Sequence, residues 1–432
     1  MTEWRERLRA LFATTLGELD LEQSMQRGID TVRVETGGSG RALVLAFGKA
    51  ARGMARELVR GLPGVRFRGL VVTPAPDDAP LGPFEVIAAG HPLPDANSLR
   101  AGQRALELAS RVERDEVAVF LASGGGSALL EWPIDGQATL DEVRELYRAL
   151  VASGADIVAV NTVRKHLSAV KAGRLALAAG RARAHVSLQL SDVPDRDGAA
   201  VASGPSFPDH TTAADCRRVL DAFELWPHVP TRLADRLRRD DLPPRLTLDA
   251  FGTGTPIICI FDEIGSNAMA RASALRALRA RGVLAVDDMA ADDWPYERAA
   301  HHLLARLDRL RRGHPGRRVA IVTGGELSVP LPDIPGIGGR NQQFVLACAR
   351  HIVGRPITVL SAGTDGVDGN SPAAGAVADG TTVWRARALG LDVHDHLRRC
   401  DAFALFDALG DAVITGPTGT NVRDLRLLVH GG

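Results

Sequence analysis

Five short stretches place chemically capable residues directly behind apolar runs. Gly48-Lys49 follows ALVLAF (42–47), Gly124-Gly125-Gly126-Ser127 follows VAVFLAS (117–123), and Asp192 follows HVSLQLS (185–191). Gly324-Gly325-Glu326 follows VAIVT (319–323), and Thr364-Asp365-Gly366-Val367-Asp368 follows ITVLSAG (357–363). Three glycines between Ser123 and Ser127 let backbone N–H groups converge, an arrangement suited to a phosphate or a carboxylate. A tight turn alone would need only one glycine. Lys49 stands out by composition, because of 52 basic residues only Lys49, Lys165 and Lys171 are lysines. A lysine kept in so arginine-rich a chain fits a need for a compact ammonium rather than a planar guanidinium. Asp192, Glu326 and Asp365 are hard oxygen donors that suit Mg²⁺, which keeps waters and bridges substrate phosphates. One of them can instead accept a proton from a substrate hydroxyl. A lone strand-end aspartate is often just a helix cap, so the three matter together.

Residues 161–180, NTVRKHLSAVKAGRLALAAG, hold the other two lysines in a basic helical segment. Arg164, Lys165, Lys171 and Arg174 cannot share one face. The segment is either a solvated helix or one that brings a cation or two to a polyanionic ligand. His394-Asp395-His396 has an i, i+2 spacing that suits a solvated helix start better than a metal site. HPLPDANS (91–98) is a proline-stiffened loop with an Asp cap, able to line a cleft. The common nucleotide signatures are absent: there is no GxxxxGK[ST], HRD or DFG. GIGGRN (336–341) lacks the third glycine of a dinucleotide fingerprint, and GTGTPI (252–257) precedes a strand rather than following one.

These residues need elements to carry them. Short β-branched runs such as ALVLAF, GLVVTP, VAVFLAS, PIICIFD and ITVLSAG alternate with amphipathic stretches such as ANSLRAGQRALELASRV and DEVRELYRALVAS. Continuous apolar strands alternating with helices predict an α/β, doubly wound fold with largely parallel sheets covered on both faces. Ligands of such sheets bind at the carboxyl ends of the strands, where the five stretches stand. The charged, proline-containing segment 228–254 divides the chain, giving an expected domain of residues 1–240 and a second of residues 241–432. The helical first 40 residues could pack on either.

Composition narrows the class. At 432 residues the chain exceeds one ordinary core. Acidic and basic residues balance at 52 each, so no net field favours nucleic acid or a membrane surface. Cys216, Cys259, Cys348 and Cys400 form no CxxC pair, which argues against a zinc site or disulfide scaffold. With no apolar signal core near the start and no 18-residue apolar run, the expectation is a soluble, cytoplasmic protein.

Taken together, FGKAA (47–51), GHPLPD (90–95), SGGGSALL (123–130), NTVRKHLSAVKAGRLA (161–176) and SDVPDRDGAAVASGPSFPD (191–209) resemble the glycerate 2-kinase family that carries a C-terminal MOFRL domain. TGGELSV (323–329), GIGGRNQQ (336–343), SAGTDGVDGNSPAAGAVADG (361–380) and TGPTGTNVRDL (415–425) continue the likeness. It runs from about residue 5 to residue 427 and is weak only near 225–315. The resemblance implies two α/β domains, an active site in the cleft between them, and transfer of the ATP γ-phosphoryl to the 2-hydroxyl of D-glycerate with Mg²⁺. It puts the family's functional lysine and arginine on Lys49 and Arg340. With them stand Asp192 as first choice of base, Ser123 to Ser127, Asn161 and Lys171 as substrate or phosphate contacts, and Glu326 and Asp365 near the metal. Implied partners are a small hydroxy acid and ATP, with the chain a monomer or homodimer and no nucleic acid or membrane involved. Departures from the family pattern fall at Ala172, Asp195-Arg196-Asp197, Gln343 and DEIGSNAMA (262–270). They open the choice of acceptor to a related hydroxy acid. Rival readings are a hydroxypyruvate reductase, a name attached to relatives of this family, and a catalytically idle ligand-binding member.

Overall fold

The computed structural model describes residues 2–19, 21–38, 40–74, 80–190, 198–247, 258–330, 332, 334–418 and 420–431. They form two compact units, Leu21–Ile264 and the pair of segments Met1–Asp20 and Gly265–Gly432. The division thus lies at residue 264, where the sequence suggests 240, and the first twenty residues belong with the C-terminal unit.

The first unit is built on β1 (Arg41–Phe47), β2 (Arg66–Thr73), β3 (Phe84–Ala88), β4 (Glu116–Ser123), β5 (Ala184–Leu190) and β6 (Ile258–Gly265). Their order in the sheet is β3-β2-β1-β4-β5-β6, with β1 to β5 parallel. Residues 42–47 of β1 and all of β4 are buried, as expected of strands covered on both faces. Leu43, Leu45, Phe47 and Phe120 pack with Leu129, Val170 and Leu175 on one face. The helix Leu21–Thr36 turns Met25, Gly28, Ile29 and Val32 inward. A side chain at Gly28 would collide with Leu188 of β5, so glycine permits that approach. The chain runs outward from β1 to β3 and then crosses to β4 on the other side of β1, which makes the β1/β4 boundary the point where strand order reverses.

The second unit holds β7 (Leu284–Asp287), β8 (Val319–Gly325), β9 (Ile357–Gly363), β10 (Gly375–Asp379), β11 (Ala412–Val413) and β12 (Asp424–His430), in the order β11-β10-β9-β12-β8-β7. This sheet is mixed, not largely parallel as the apolar runs suggest. Of its strand pairs only β7 and β8 run parallel: the last strand enters antiparallel between β8 and β9, and β10 runs antiparallel to both β9 and β11. That strand, DLRLLVH, is broken in hydropathy by the fully buried Arg426 and does not stand out in the sequence. One face is covered by the helix Thr2–Glu18, whose Leu8, Leu11 and Phe12 pack beside Leu278, Leu427 and Val429. Burying each such side chain stabilises by about 1.5–3 kcal/mol, enough to hold a helix distant in sequence against this sheet. The helices Tyr296–Gly313 and Arg340–His351 cover the other face. No helix among the described residues is long and apolar enough to cross a membrane.

Candidate active site

In the first unit, the loops after β1 and β4 meet at the strand-order reversal. The Lys49 N–H donates to the Gly124 carbonyl oxygen (2.9 Å) and the Ala50 N–H to Ser123 Oγ (3.0 Å). Gly48 has φ of +125°, and any side chain there would strike Ser123, so only glycine lets the loops close this tightly. Gly125 is constrained twice. Its φ is +84°, and a Cβ would sit 2.9 Å from the His91 ring and 3.5 Å from Lys49 Cγ. The N–H groups of Gly124, Gly125, Gly126 and Ser127 have no hydrogen-bond partner among the described residues. Four free amides beside an exposed ammonium make an anion cradle. The helix that follows, Gly126–Leu129, is a single turn, so the donors rather than a helix dipole provide the field. Partial burial, and then the Lys49 charge, hold His91 below the ordinary histidine range. The ring that borders this cradle is therefore kept neutral more readily than a free histidine.

Beneath the loop lies a layer of buried polar groups. Ser127 Oγ is 2.8 Å from Ser203 Oγ, which donates to Asn161 Oδ1 (3.0 Å). Asn161 stands on the helix Ile157–Leu167, capped by Asp156. The basic segment is not a solvated helix. Lys165, Lys171 and Arg174 are all buried, with Lys165 Nζ 3.3 Å from Asp209 and Lys171 Nζ 2.5 Å from Glu131. Burial lowers the Lys171 pKa while the Glu131 carboxylate opposes the shift. Burial brings that of Arg174 down to about 10. Lys171, expected at the ligand, is thus an interior group, and so is Asn161. Ala172, a departure noted above, adopts φ of +54°, a conformation glycine takes without cost.

The second unit gathers its own cluster. Antiparallel insertion of β12 sets Asp424, its first residue, opposite both Gly325 of β8 and Gly363 of β9. Arg340, at the start of its helix, donates to Asp424 through Nε (2.7 Å) and Nη2 (3.1 Å) and to Glu326 through Nη2 (3.0 Å). Burial works against the Arg340 charge, but Asp424 and Glu326 outweigh it and raise its pKa further. Asp424 is fully buried, which alone would raise its pKa, yet Arg340 and Arg426 pull it below the usual carboxylate range. Asp368 caps the helix by accepting the N–H groups of Asn341 (3.0 Å) and Gln342 (2.9 Å). Its burial pushes it up to about 6 against those bonds. A cavity of about 520 Å³ opens here, lined in part by Arg340, Asp365, Asp368, Gln343 and Val367. Gln343 donates to the Leu397 carbonyl oxygen (3.0 Å), a bond that a glutamate carboxylate could not make.

The carboxylates at this cavity are the candidate donors for Mg²⁺. Asp365 accepts only the Val367 N–H (3.1 Å) at its carboxylate and has no ion-pair partner among the described residues, whereas Glu326 shares its charge with Arg340. No group of three or more His, Cys, Asp or Glu side chains among the described residues could hold a metal ion. One or two carboxylates fit Mg²⁺ completed by water and phosphate oxygens, not a full protein cage.

Lys49 and the Ser123–Ser127 loop are thus brought together, as are Arg340, Glu326 and Asp365, each set within its own unit. Asp192 lies outside the described residues, as do Asp195, Arg196 and Asp197. His394 and His396 share no site: His394 is exposed, while the His396 ring lies 2.8 Å from the Asp401 carbonyl oxygen. Two site residues escaped sequence reasoning. His91 heads HPLPDANS (91–98), where the prolines drew attention to stiffness instead. Asp424 lies in TNVRDL but opens its strand, and a search behind apolar runs finds only the ends of strands.

The domain of unknown function DUF4147 matches residues 7–238, and the MOFRL family matches residues 319–424. The D-glycerate 2-kinase of Thermotoga maritima is 35% identical over 89% of each chain. A provisionally named hydroxypyruvate reductase of Agrobacterium vitis is 36% identical over 91% of this chain and 88% of its own. A crystal structure of glycerate kinase from Thermotoga maritima superposes with a TM-score of 0.85 at 31% identity, covering 100% of both chains. By sequence over both units and by fold, this chain belongs to the glycerate 2-kinase family with a C-terminal MOFRL domain.

Proposed function

We propose that this chain transfers the γ-phosphoryl group of ATP to the 2-hydroxyl of D-glycerate, giving 2-phospho-D-glycerate and ADP. The observation that carries the reading is the row of free amides from Gly124 to Ser127, beside Lys49 at the strand-order reversal. Both substrates are anions, and phosphoryl transfer asks a protein mainly for positioning and charge stabilisation. The loop amides bind an anionic group without adding net charge. Lys49 offsets the negative charge of the phosphoryl group or of the acceptor carboxylate. The acceptor hydroxyl gives up its proton as its oxygen attacks phosphorus, and Asp192 is the base proposed for it. Asp365, with Glu326, would hold Mg²⁺, which when bound offsets charge on the phosphate oxygens. Arg340 keeps Asp424 ionised and orients both Asp424 and Glu326.

Phosphorus NMR of the protein with MgATP and D-glycerate tests this. A resonance of 2-phosphoglycerate, without the 3-isomer, is expected. Intact ATP with D-glycerate but consumption with another hydroxy acid would move the acceptor, as the departures at Ala172 and Gln343 leave open. The reductase reading is favoured only by the name of the Agrobacterium vitis relatives and lacks the glycine fingerprint for a dinucleotide. NADH oxidation with hydroxypyruvate would support it.

A further inference from the structure

Ser127 is anchored twice from below. Its hydroxyl meets Ser203, and its carbonyl oxygen lies 3.0 Å from the Tyr147 hydroxyl. Tyr147 stands on the helix Leu140–Ala152, fixed at its start by a capping box between Thr139 and Glu142. Val143, Leu146, Tyr147 and Leu150 form the buried face of that helix, and the Arg164 guanidinium covers the Tyr147 ring at 4.5 Å. The same hydroxyl also reaches Glu131 Oε2 through a short hydrogen bond. Glu131 is buried, takes the Lys171 ammonium at Oε2 and accepts the Trp132 N–H at Oε1 (2.9 Å). Lys171 donates as well to the Leu130 carbonyl oxygen (3.2 Å), at the end of the loop's single helical turn.

Tyr147 has one hydroxyl hydrogen and two acceptors for it. A bare Glu131 carboxylate would win that hydrogen outright. The Lys171 ammonium offsets part of the Glu131 charge, and the hydroxyl stands within reach of both acceptors, its hydrogen shared between Glu131 Oε2 and the Ser127 carbonyl oxygen. Burial and Glu131 both raise the Tyr147 pKa well above its ordinary value, so the group remains a donor across the working range of pH.

We propose that Tyr147, held by the Glu131–Lys171 pair, is the positioning residue of the Gly124–Ser127 loop, and that it aims the loop amides at the bound anion. This rests on reading the loop as the anion cradle of phosphoryl transfer. Tyr147 and Lys171 touch no substrate; they act through Ser127.

The test is Tyr147→Phe, which keeps the ring, its arginine contact and the Glu131–Lys171 pair. Wild type and variant are compared in melting temperature, in kcat and KM for ATP and D-glycerate, and in hydrogen exchange. The amides to follow are those of Ala128, Leu129 and Leu130, which bond back to the carbonyls of Gly125 and Gly126. The expected result is a fall in kcat/KM of about tenfold, the scale of one lost hydrogen bond. It comes with faster exchange confined to 128–130 and a melting temperature lowered by only a few degrees, the scale of one buried hydrogen bond. Unchanged kinetics together with unchanged exchange would overturn the proposal. Should the wild type leave D-glycerate untouched, the functional reading falls by that result alone. Exchange at 128–130 then decides the positioning role, and equal protection in both proteins refutes it.

Discussion

At the crevice between β1 and β4 the groups on offer are donors: four amides and the Lys49 ammonium, with no ion pair to that lysine among the described residues. At the ends of β8 and β9 the groups on offer are mainly acceptors, and the Arg340 charge is already divided between Asp424 and Glu326. A free cation can answer a new anion at once. A cation held by two carboxylates is already answered, and here it keeps the buried Asp424 ionised. Two basic residues that look alike in sequence therefore serve opposite electrostatic ends, and the difference comes from what surrounds each.

Three experiments would break or sharpen this contrast. The largest effect is expected for Lys49→Met, since among the described residues nothing else at the cradle carries a full positive charge. Turnover should fall on the order of 10²–10³-fold, as when one preorganised donor to a developing charge is removed. Because Lys49 is exposed, the urea midpoint should not move. Turnover within a factor of about two of wild type would place the cradle outside the chemistry.

Next comes Asp424→Asn. Asp424 pairs with both Arg340 and the fully buried Arg426, so neutralising it leaves interior positive charge uncompensated. A cost of about 3 kcal/mol is expected in urea unfolding at neutral pH. The sign with pH is fixed by the lowered pKa of Asp424. Its contribution is present above the unfolded aspartate value and is lost as pH falls through the folded one, so wild type and variant should converge in acid. A midpoint equal to wild type at neutral pH would mean that the cluster is not electrostatically coupled.

The smallest effect is at His91. Its pKa is depressed by partial burial and by Lys49, so the folded protein binds fewer protons there than the unfolded chain just below the ordinary value of about 6.5. Its stabilising contribution is present above that pH and falls away as the solution is acidified. An anion in the cradle should reverse the Lys49 effect. A proton NMR titration should therefore show the His91 pKa rising when ATP is added, and rising also in Lys49→Met. No movement with ATP would sever the cradle from its proposed ligand.

Much of the first site was legible in the chain because parallel strands place functional residues behind apolar runs, where Gly48-Lys49 and Ser123–Ser127 stand. Arg340 was legible only through family likeness, since GIGGRN alone says nothing of Asp424. The boundary near 240 follows composition, but the units divide at 264 because β6 still joins the first sheet. The basic segment misled in a different way. Charge along a sequence suggests solvent, while Lys165 and Lys171 each find a carboxylate far along the chain and go inside.

The sequence by itself determined the α/β class and the place of the glycine loop and of Lys49 directly behind their strands. Strand period, glycine freedom and residue chemistry are local properties. Tertiary structure alone decided that the second sheet is mixed, that Arg340 pairs with Asp424, and that Lys171 lies inside against Glu131. Each of those depends on which distant carboxylate a cation meets once both leave water. That pairing is set by strand insertion and helix packing, and no spacing along the chain records it.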